Sequence, residues 1–329
     1  MYINLDNLIA KINKTVETHR IEEGVYTRWL WKDEKGNRVL GKNEYGCADA
    51  ANILYSTGAF PRCPEKRAKW VEALQSMQDP QTGLFREATH HMIHTTAHCA
   101  AALELFDAQP LYPITALEPF LKIERMEQML DGLNWHKDPW GASHRGAGMY
   151  AAMVITRMVD KEWQNAYFKW LDDRCDPEIG MGMRHGGSPV YHHMGGWFHY
   201  LFNHEYARMP IPHPEKLIDS CIDLYVNKKM GDDFAQRVGF AEIDWIFCMN
   251  RASRQTKYRY DEVKELIRDC GKTLIEWMDS VDADTHDGFN DLHALFGSVC
   301  ALAELQLALP GEIVSTVPLK LVLDRRPFI

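Results

Sequence analysis

Histidine and aspartate recur along this sequence at a nearly constant interval. Asp49, His94, His144, His193, Asp244 and His293 are separated by 45, 50, 49, 51 and 49 positions. Both side-chain types move protons at or below neutral pH and hydrogen-bond to hydroxyl-rich molecules. Asp49 and Asp244 form a pair that could flank a glycosidic bond, one carboxyl protonating the leaving oxygen and the other activating water or attacking. The histidines offer a second chemistry together with Tyr45, which lies four residues before Asp49 on the same helical face. A histidine or tyrosine can remove a proton beside a carbonyl or carboxylate, as epimerisation and β-elimination require.

The residues around these anchors would line a binding site. Thr89-His90-His91-Met-Ile-His94-Thr95-Thr96-Ala-His98 is the densest histidine run, and His90, His94 and His98 fall on one helical stripe. Two histidines four apart can share zinc, but neither an HExxH pattern nor a neighbouring cysteine pair accompanies them. No metal and no cofactor is therefore assigned. Trp140, followed by His144 and Arg145, offers a flat face with polar neighbours, which suits a sugar ring. Arg184, Tyr191 and Trp197 belong to a glycine-rich stretch that lacks the Lys-Ser/Thr ending of a phosphate loop. In Gln236-Arg237-Val-Gly-Phe-Ala-Glu242-Ile-Asp244, residues 242 and 244 diverge on a helix, and Asp244 is the one in step with the other anchors. Arg237 and His293 complete the substrate-binding candidates, while Asp291 reads as a helix cap. Capping could also explain Asp49, but histidine is a poor cap, and four of the six anchors are histidine. Enzyme is favoured over scaffold.

Composition narrows the partners. The chain has 329 residues and a formal charge of -9, from 37 basic and 46 acidic side chains, with no basic cluster beyond pairs. Such a surface does not track nucleic-acid phosphates. No run of about 18 uncharged apolar residues spans a membrane, and no secretory leader opens the chain, so a cytoplasmic protein with no membrane partner is expected. The eight cysteines form no CxxC pair and read as reduced, structural thiols.

Two alternating sets of helices must position the anchors. Amphipathic segments with one charged face occur near 3–17, 65–78, 115–132, 161–174, 214–228 and 259–280. Between them, near 46–57, 92–106, 144–158, 192–207, 240–252 and 290–308, lie segments rich in Ala, Gly, Cys, Met and aromatics. Links such as Asp79-Pro-Gln-Thr-Gly83 and Asp138-Pro-Trp140-Gly141 stop one helix and turn the chain. Six hairpins of this kind cannot bury their inner faces singly but can do so in a closed ring, with the inner amino ends at one mouth. The expected fold is all-α: a single domain over 1–310, a possible β-hairpin near 25–40, and an extension over 311–329 packed on the outside.

This architecture resembles the (α/α)6 toroids, shared by six-hairpin glycosidases, sugar 2-epimerases, polysaccharide lyases and terpenoid cyclase and prenyltransferase toroids. In those families substrates bind in the funnel at the inner amino ends, and the resemblance implies the same here. Gln78-Asp-Pro-Gln-Thr-Gly83-Leu-Phe85 is similar to the glutamine-aromatic repeat of terpene cyclases, with Phe where that motif has Trp. Asp282-Ala-Asp284-Thr departs from the protonating Asp-x-Asp-Asp motif. Asp172-Asp-Arg-Cys-Asp176 fits a diphosphate motif in letters, but at the carboxyl end of an outer helix, facing away from the funnel. The expectation is a glycoside hydrolase acting on an oligosaccharide, with an epimerase or lyase as the alternative and a cyclase-like enzyme or a binding toroid behind them.

Overall fold

A computed structural model describes residues 2–182 and 187–329, and these are predominantly helical. The outer set comprises α1 (Asp6–Thr18), α3 (Pro64–Gln75), α5 (Ile123–Asp131, after a 3-10 turn over Thr115–Leu121), α7 (Lys161–Asp172), α9 (Pro214–Val226) and α11 (Tyr260–Ser280). The inner set comprises α2 (Glu44–Thr57), α4 (Met92–Leu105), α6 (Pro139–Ile155), α8 (Val190–Ala207), α10 (Ala241–Ser253) and α13 (Leu292–Ala308), the last preceded by the single turn α12 (Asp287–Asn290). Burial separates the sets as the composition does. On α1 the buried residues are Leu8, Ile12, Thr15 and Val16, one stripe, whereas α13 is buried almost continuously from Leu292 to Leu305.

Local chemistry sets the inner helix starts. Asn43 accepts the backbone N–H groups of Tyr45 and Gly46, at 2.8 and 3.1 Å, and opens α2. Asp138 accepts from Gly141 at 2.9 Å, with Pro139 in the first turn of α6. Asp291 does the same for His293 at 3.0 Å and opens α13. The inner helices pack in a closed circuit: α2 on α4, α4 on α6, α6 on α8, α8 on α10, α10 on α13, and α13 back on α2.

Strands are short. β1 (Ile3–Asn4) pairs in parallel with β6 (Ile313–Val314), joining the two ends of the helical circuit on its outside. β4 (Cys175–Asp176) pairs with β5 (Met181–Gly182). The hairpin expected near 25–40 lies earlier, between β2 (Arg20–Glu22) and β3 (Val25–Tyr26). Gly24, at φ +86°, makes the reversal there, with its α-carbon against the backbone of Trp70, where a β-carbon would clash. No helix among the described residues is long and apolar enough to cross a membrane.

The segment expected to pack across the outside, 311–329, ends inside the circuit. Arg326 is buried and donates to the Ala101 carbonyl at 2.8 Å, while Asn203 donates to the Pro327 carbonyl at 2.7 Å. Phe328 lies 5.0 Å, ring to ring, from His94 and 6.4 Å from His199. The tail enters from the carboxyl ends of the inner helices and floors the histidines. Phe328→Ala should cost about 3–5 kcal/mol, as a deleted core aromatic does. Val317→Ala, in the exposed part of the same tail, should stay within about 0.5 kcal/mol. Urea unfolding midpoints of the two variants check this.

Candidate functional site

The amino ends of the inner helices meet, and the side chains they carry form one cluster. Tyr45, in the first turn of α2, stacks on His90 at 4.5 Å and His98 at 4.9 Å and meets His293 edge-on at 4.5 Å. Its hydroxyl lies 2.5 Å from His94 Nδ1. One turn further along α2, Asp49 is fully buried; its Oδ1 accepts from His98 Nε2 at 2.7 Å, and its Oδ2 lies 3.2 Å from His293 Nδ1. Burial would raise the Asp49 pKa, but the two imidazoles outweigh it and hold the group ionised, below the usual carboxylate range.

His94, His144 and His199 form a second set beside the first. The ring centroids of His94 and His144 are 4.4 Å apart, and those of His144 and His199 are 5.5 Å apart. Burial, then the neighbouring imidazoles, keep His94 and His144 neutral well below the usual histidine pKa. Burial also takes His199 down to about 4 and His293 to about 3, the latter against the pull of Asp49. Each set, His94/His144/His199 and Asp49/His98/His293, offers three ligand atoms within 4.8 Å of one another.

Asp244 is the electrostatic opposite of Asp49. It is buried, and neither carboxyl oxygen has a hydrogen-bond partner among the described residues. Burial first, then Cys248 and Glu242, push its pKa well above the usual carboxylate range, which favours the protonated form. The carboxyl faces α8 at Gly195, where a β-carbon would come within 3.0 Å of Oδ2 and 3.3 Å of the Trp140 ring. Only glycine lets α6, α8 and α10 approach this closely.

Of the residues singled out by sequence, Tyr45, Asp49, His90, His94, His144 and His293 come together. Trp140 is half-buried and near His192, which in turn meets Tyr191; these three make an aromatic rim. Arg145 is half-buried and has no ion-pair partner among the described residues. His193 is not in the cluster, since its Nδ1 faces the Gly182 carbonyl of β5 at 3.3 Å. Trp197 is buried against Gly182 and Tyr200 rather than at the rim. Arg237 is engaged by Glu242 at 3.0 Å and Asp233 at 3.2 Å. Arg184 lies outside the described residues.

Several members of the site were not chosen from sequence. His199, six residues past the His193 anchor, occupies the place on α8 that the interval assigned to His193. His98 lay on the histidine stripe but carried no role until Asp49 was seen against it. Arg28 covers Tyr45, 5.2 Å above its ring, while holding Asp291 through two bonds of 2.8 and 3.0 Å. Phe240 packs on His293 at 4.6 Å. A surface cleft of about 1010 Å³ lies elsewhere, beside the carboxyl ends of α2 and α4, and its Arg67 is already paired with Asp107 at 3.0 Å.

No protein-family model, curated protein or solved structure matches this chain. The geometry therefore carries the functional argument.

A protonated, buried Asp244 makes stability depend on pH with a definite sign. The unfolded chain releases this proton near the ordinary aspartate pKa and the folded chain retains it, so the group's contribution falls as pH rises from about 4 through its raised folded value. Asp244→Asn removes that term. The variant should gain stability relative to the parent by up to about 1.4 kcal/mol for each pH unit across that window, and the gain should vanish near pH 4. Denaturation of both proteins from pH 4 to 8 reads it; a pH-independent difference would contradict a protonated Asp244.

Proposed function

We propose that this chain is an (α/α)6 toroid that hydrolyses glycosidic bonds, with Asp244 as the proton donor and Asp49 as the anionic partner. The observation that carries the reading is the opposite environment of two buried carboxyls: Asp49 is held between two imidazoles, whereas Asp244 meets no hydrogen-bond donor among the described residues. Environments that push two carboxyl pKa values apart supply an acid and a base at one pH. Asp244 can give its proton to a leaving oxygen because nothing else engages it. Asp49 acts through His293, the more exposed of its two imidazole partners, which it holds in place to accept a hydrogen bond from the attacking water. Trp140, Tyr191 and His192 supply faces for sugar rings, and Arg145 a charge at their edge. An oligosaccharide is the proposed substrate, and neither nucleic acid nor membrane is a proposed partner. The eight free cysteines, seven of them buried, accord with a cytoplasmic location.

A second reading rests on the 2.5 Å contact between the Tyr45 hydroxyl and His94. A neutral imidazole beside a phenol suits proton abstraction and return, which is epimerase or lyase chemistry.

A panel of oligosaccharides, assayed for new reducing ends and for ultraviolet absorbance from a new double bond, separates the two. Asp244→Asn and Asp49→Asn should each lower reducing-end release by about 10²–10⁴-fold. Parental turnover in both variants would reject hydrolysis. Absorbance gain lost in Tyr45→Phe would establish the second reading in its place.

A further inference from the structure

The two triads in the circuit differ in one respect that electrostatics must answer for. In the Asp49 set the carboxylate accepts from both histidines, so the group is satisfied internally. The His94/His144/His199 set has no acceptor or anion within it; three imidazoles from three consecutive inner helices converge on one another.

Two of the three rings are engaged on their outward nitrogens. His199 Nδ1 is 3.0 Å from the Gly195 carbonyl, and a carbonyl only accepts, so Nδ1 carries the proton and Nε2 the lone pair. The Ser143 hydroxyl, 3.2 Å from the same Nδ1, supports that ring from α6. His94 Nδ1 meets the Tyr45 hydroxyl, and the Thr95 hydroxyl lies beyond as a further partner for Tyr45. A proton on His94 Nδ1 directed to Tyr45, with the Tyr45 proton directed to Thr95, leaves the His94 Nε2 lone pair unengaged as well. His144 has no hydrogen bond among the described residues and is the half-buried member, nearest the mouth. Inward lone pairs on neutral rings, with the outward nitrogens of His94 and His199 held by a hydroxyl and a carbonyl, are the arrangement that orients imidazoles around a metal ion.

We propose that His94, His144 and His199 bind one divalent transition-metal ion of the zinc class through their inward nitrogens. An all-imidazole set excludes magnesium and calcium, which take oxygen ligands, and favours zinc, cobalt, nickel or copper. Three protein ligands leave a fourth position for water or substrate, on the His144 side. The Asp49 carboxylate, whose partners His98 and His293 have ring centroids 6.3 and 6.4 Å from that of His94, supplies nearby negative charge for a dication. The site does not rest on the hydrolytic reading. If it is filled, His94 is a ligand and Tyr45 its positioning residue, which removes the base that the epimerase or lyase reading needs.

Tag-free protein, stripped with chelator and reloaded with Zn(II) or Co(II), tests this by metal analysis after desalting. The expected result is about one equivalent retained, and for Co(II) the intense visible absorption of four- or five-coordination. His144→Ala and His199→Ala should lose the bound ion, and Tyr45→Phe should weaken it about 10–100-fold, the usual cost of removing a partner of a ligating histidine. Cys63→Ser, at the exposed thiol, should retain it. Circular dichroism confirms that each variant is folded. Should the alanine variants fail to fold, the parental Co(II) spectrum decides alone, since the weak absorption of a six-coordinate aqua-like ion overturns the proposal. Absence of retained metal after loading, or full retention in both folded alanine variants, overturns it too.

Discussion

The Asp49 carboxylate holds the place where the helical circuit closes. Its two oxygens reach His98 on α4 and His293 on α13, so one side chain on the first inner helix joins the second inner helix to the last. The circuit of inner helices has one junction between elements distant in the chain, and it lies between α13 and α2. Further bonds cross the same seam. Arg28 grips Asp291, Trp29 bridges to Asp291 through the backbone, and β1 pairs with β6 on the outside. Breaking one partner of a buried charged pair strands the other, which makes such a latch strongly cooperative.

The contrast with Asp244 follows from the same physics. Other buried charges on the same helix are paired. Arg251 on α10 meets Glu304 on α13 through two bonds of 2.8 Å and Glu205 on α8 at 3.1 Å, and Asn250 adds a fourth contact to that network. Those bonds tie the carboxyl ends of three inner helices, with a partner for each nitrogen of the guanidinium. Asp244 lies on the same α10 and finds no donor at all. An unpartnered buried carboxyl is a standing cost to stability, concentrated at the end of the circuit where the imidazoles gather.

How much of this was legible depends on whether the signal was local. The inner and outer helices were readable because burial imposes itself on composition: Ala, Gly and Cys where helices touch on every side, charge where one face meets water. Their observed starts fall within five residues of those read from periodicity, apart from the segment at 115–132, which a 3-10 turn divides at Lys122. The interval of about fifty residues located Asp49, His94, His144 and His293 in one cluster but misdirected the choice on α8. There His193 and His199 differ by six positions, and only the packing of Gly182 and Trp197 determines which faces inward. Arg28 belonged to a short aromatic run with no periodicity, and its meaning depends on Asp291, 263 positions away. The buried tail was illegible for the same reason: nothing in Arg325-Arg326-Pro327-Phe328 announces that an arginine and an aromatic enter a ring of histidines.

Capping is the alternative that any role for the anchors must displace. A scaffold whose helix starts need satisfied N–H groups could carry polar residues at a fixed interval and do no chemistry. The caps of four inner helices can be named: Asn43 for α2, His91 for α4, Asp138 for α6 and Asp291 for α13. Histidine does cap here, since His91 accepts from the Ile93 N–H, but His91 is not one of the six anchors. The anchors on these helices lie inside them, past the caps, with side chains turned to one another. Their interval therefore serves something other than helix initiation. Placing imidazoles and a carboxylate on the buried wall of a helical circuit costs desolvation at each position. Core packing alone would be met more cheaply by the Ala, Leu and Phe that fill the rest of α13, so the polar wall is better explained by what it binds or turns over than by the fold it interrupts.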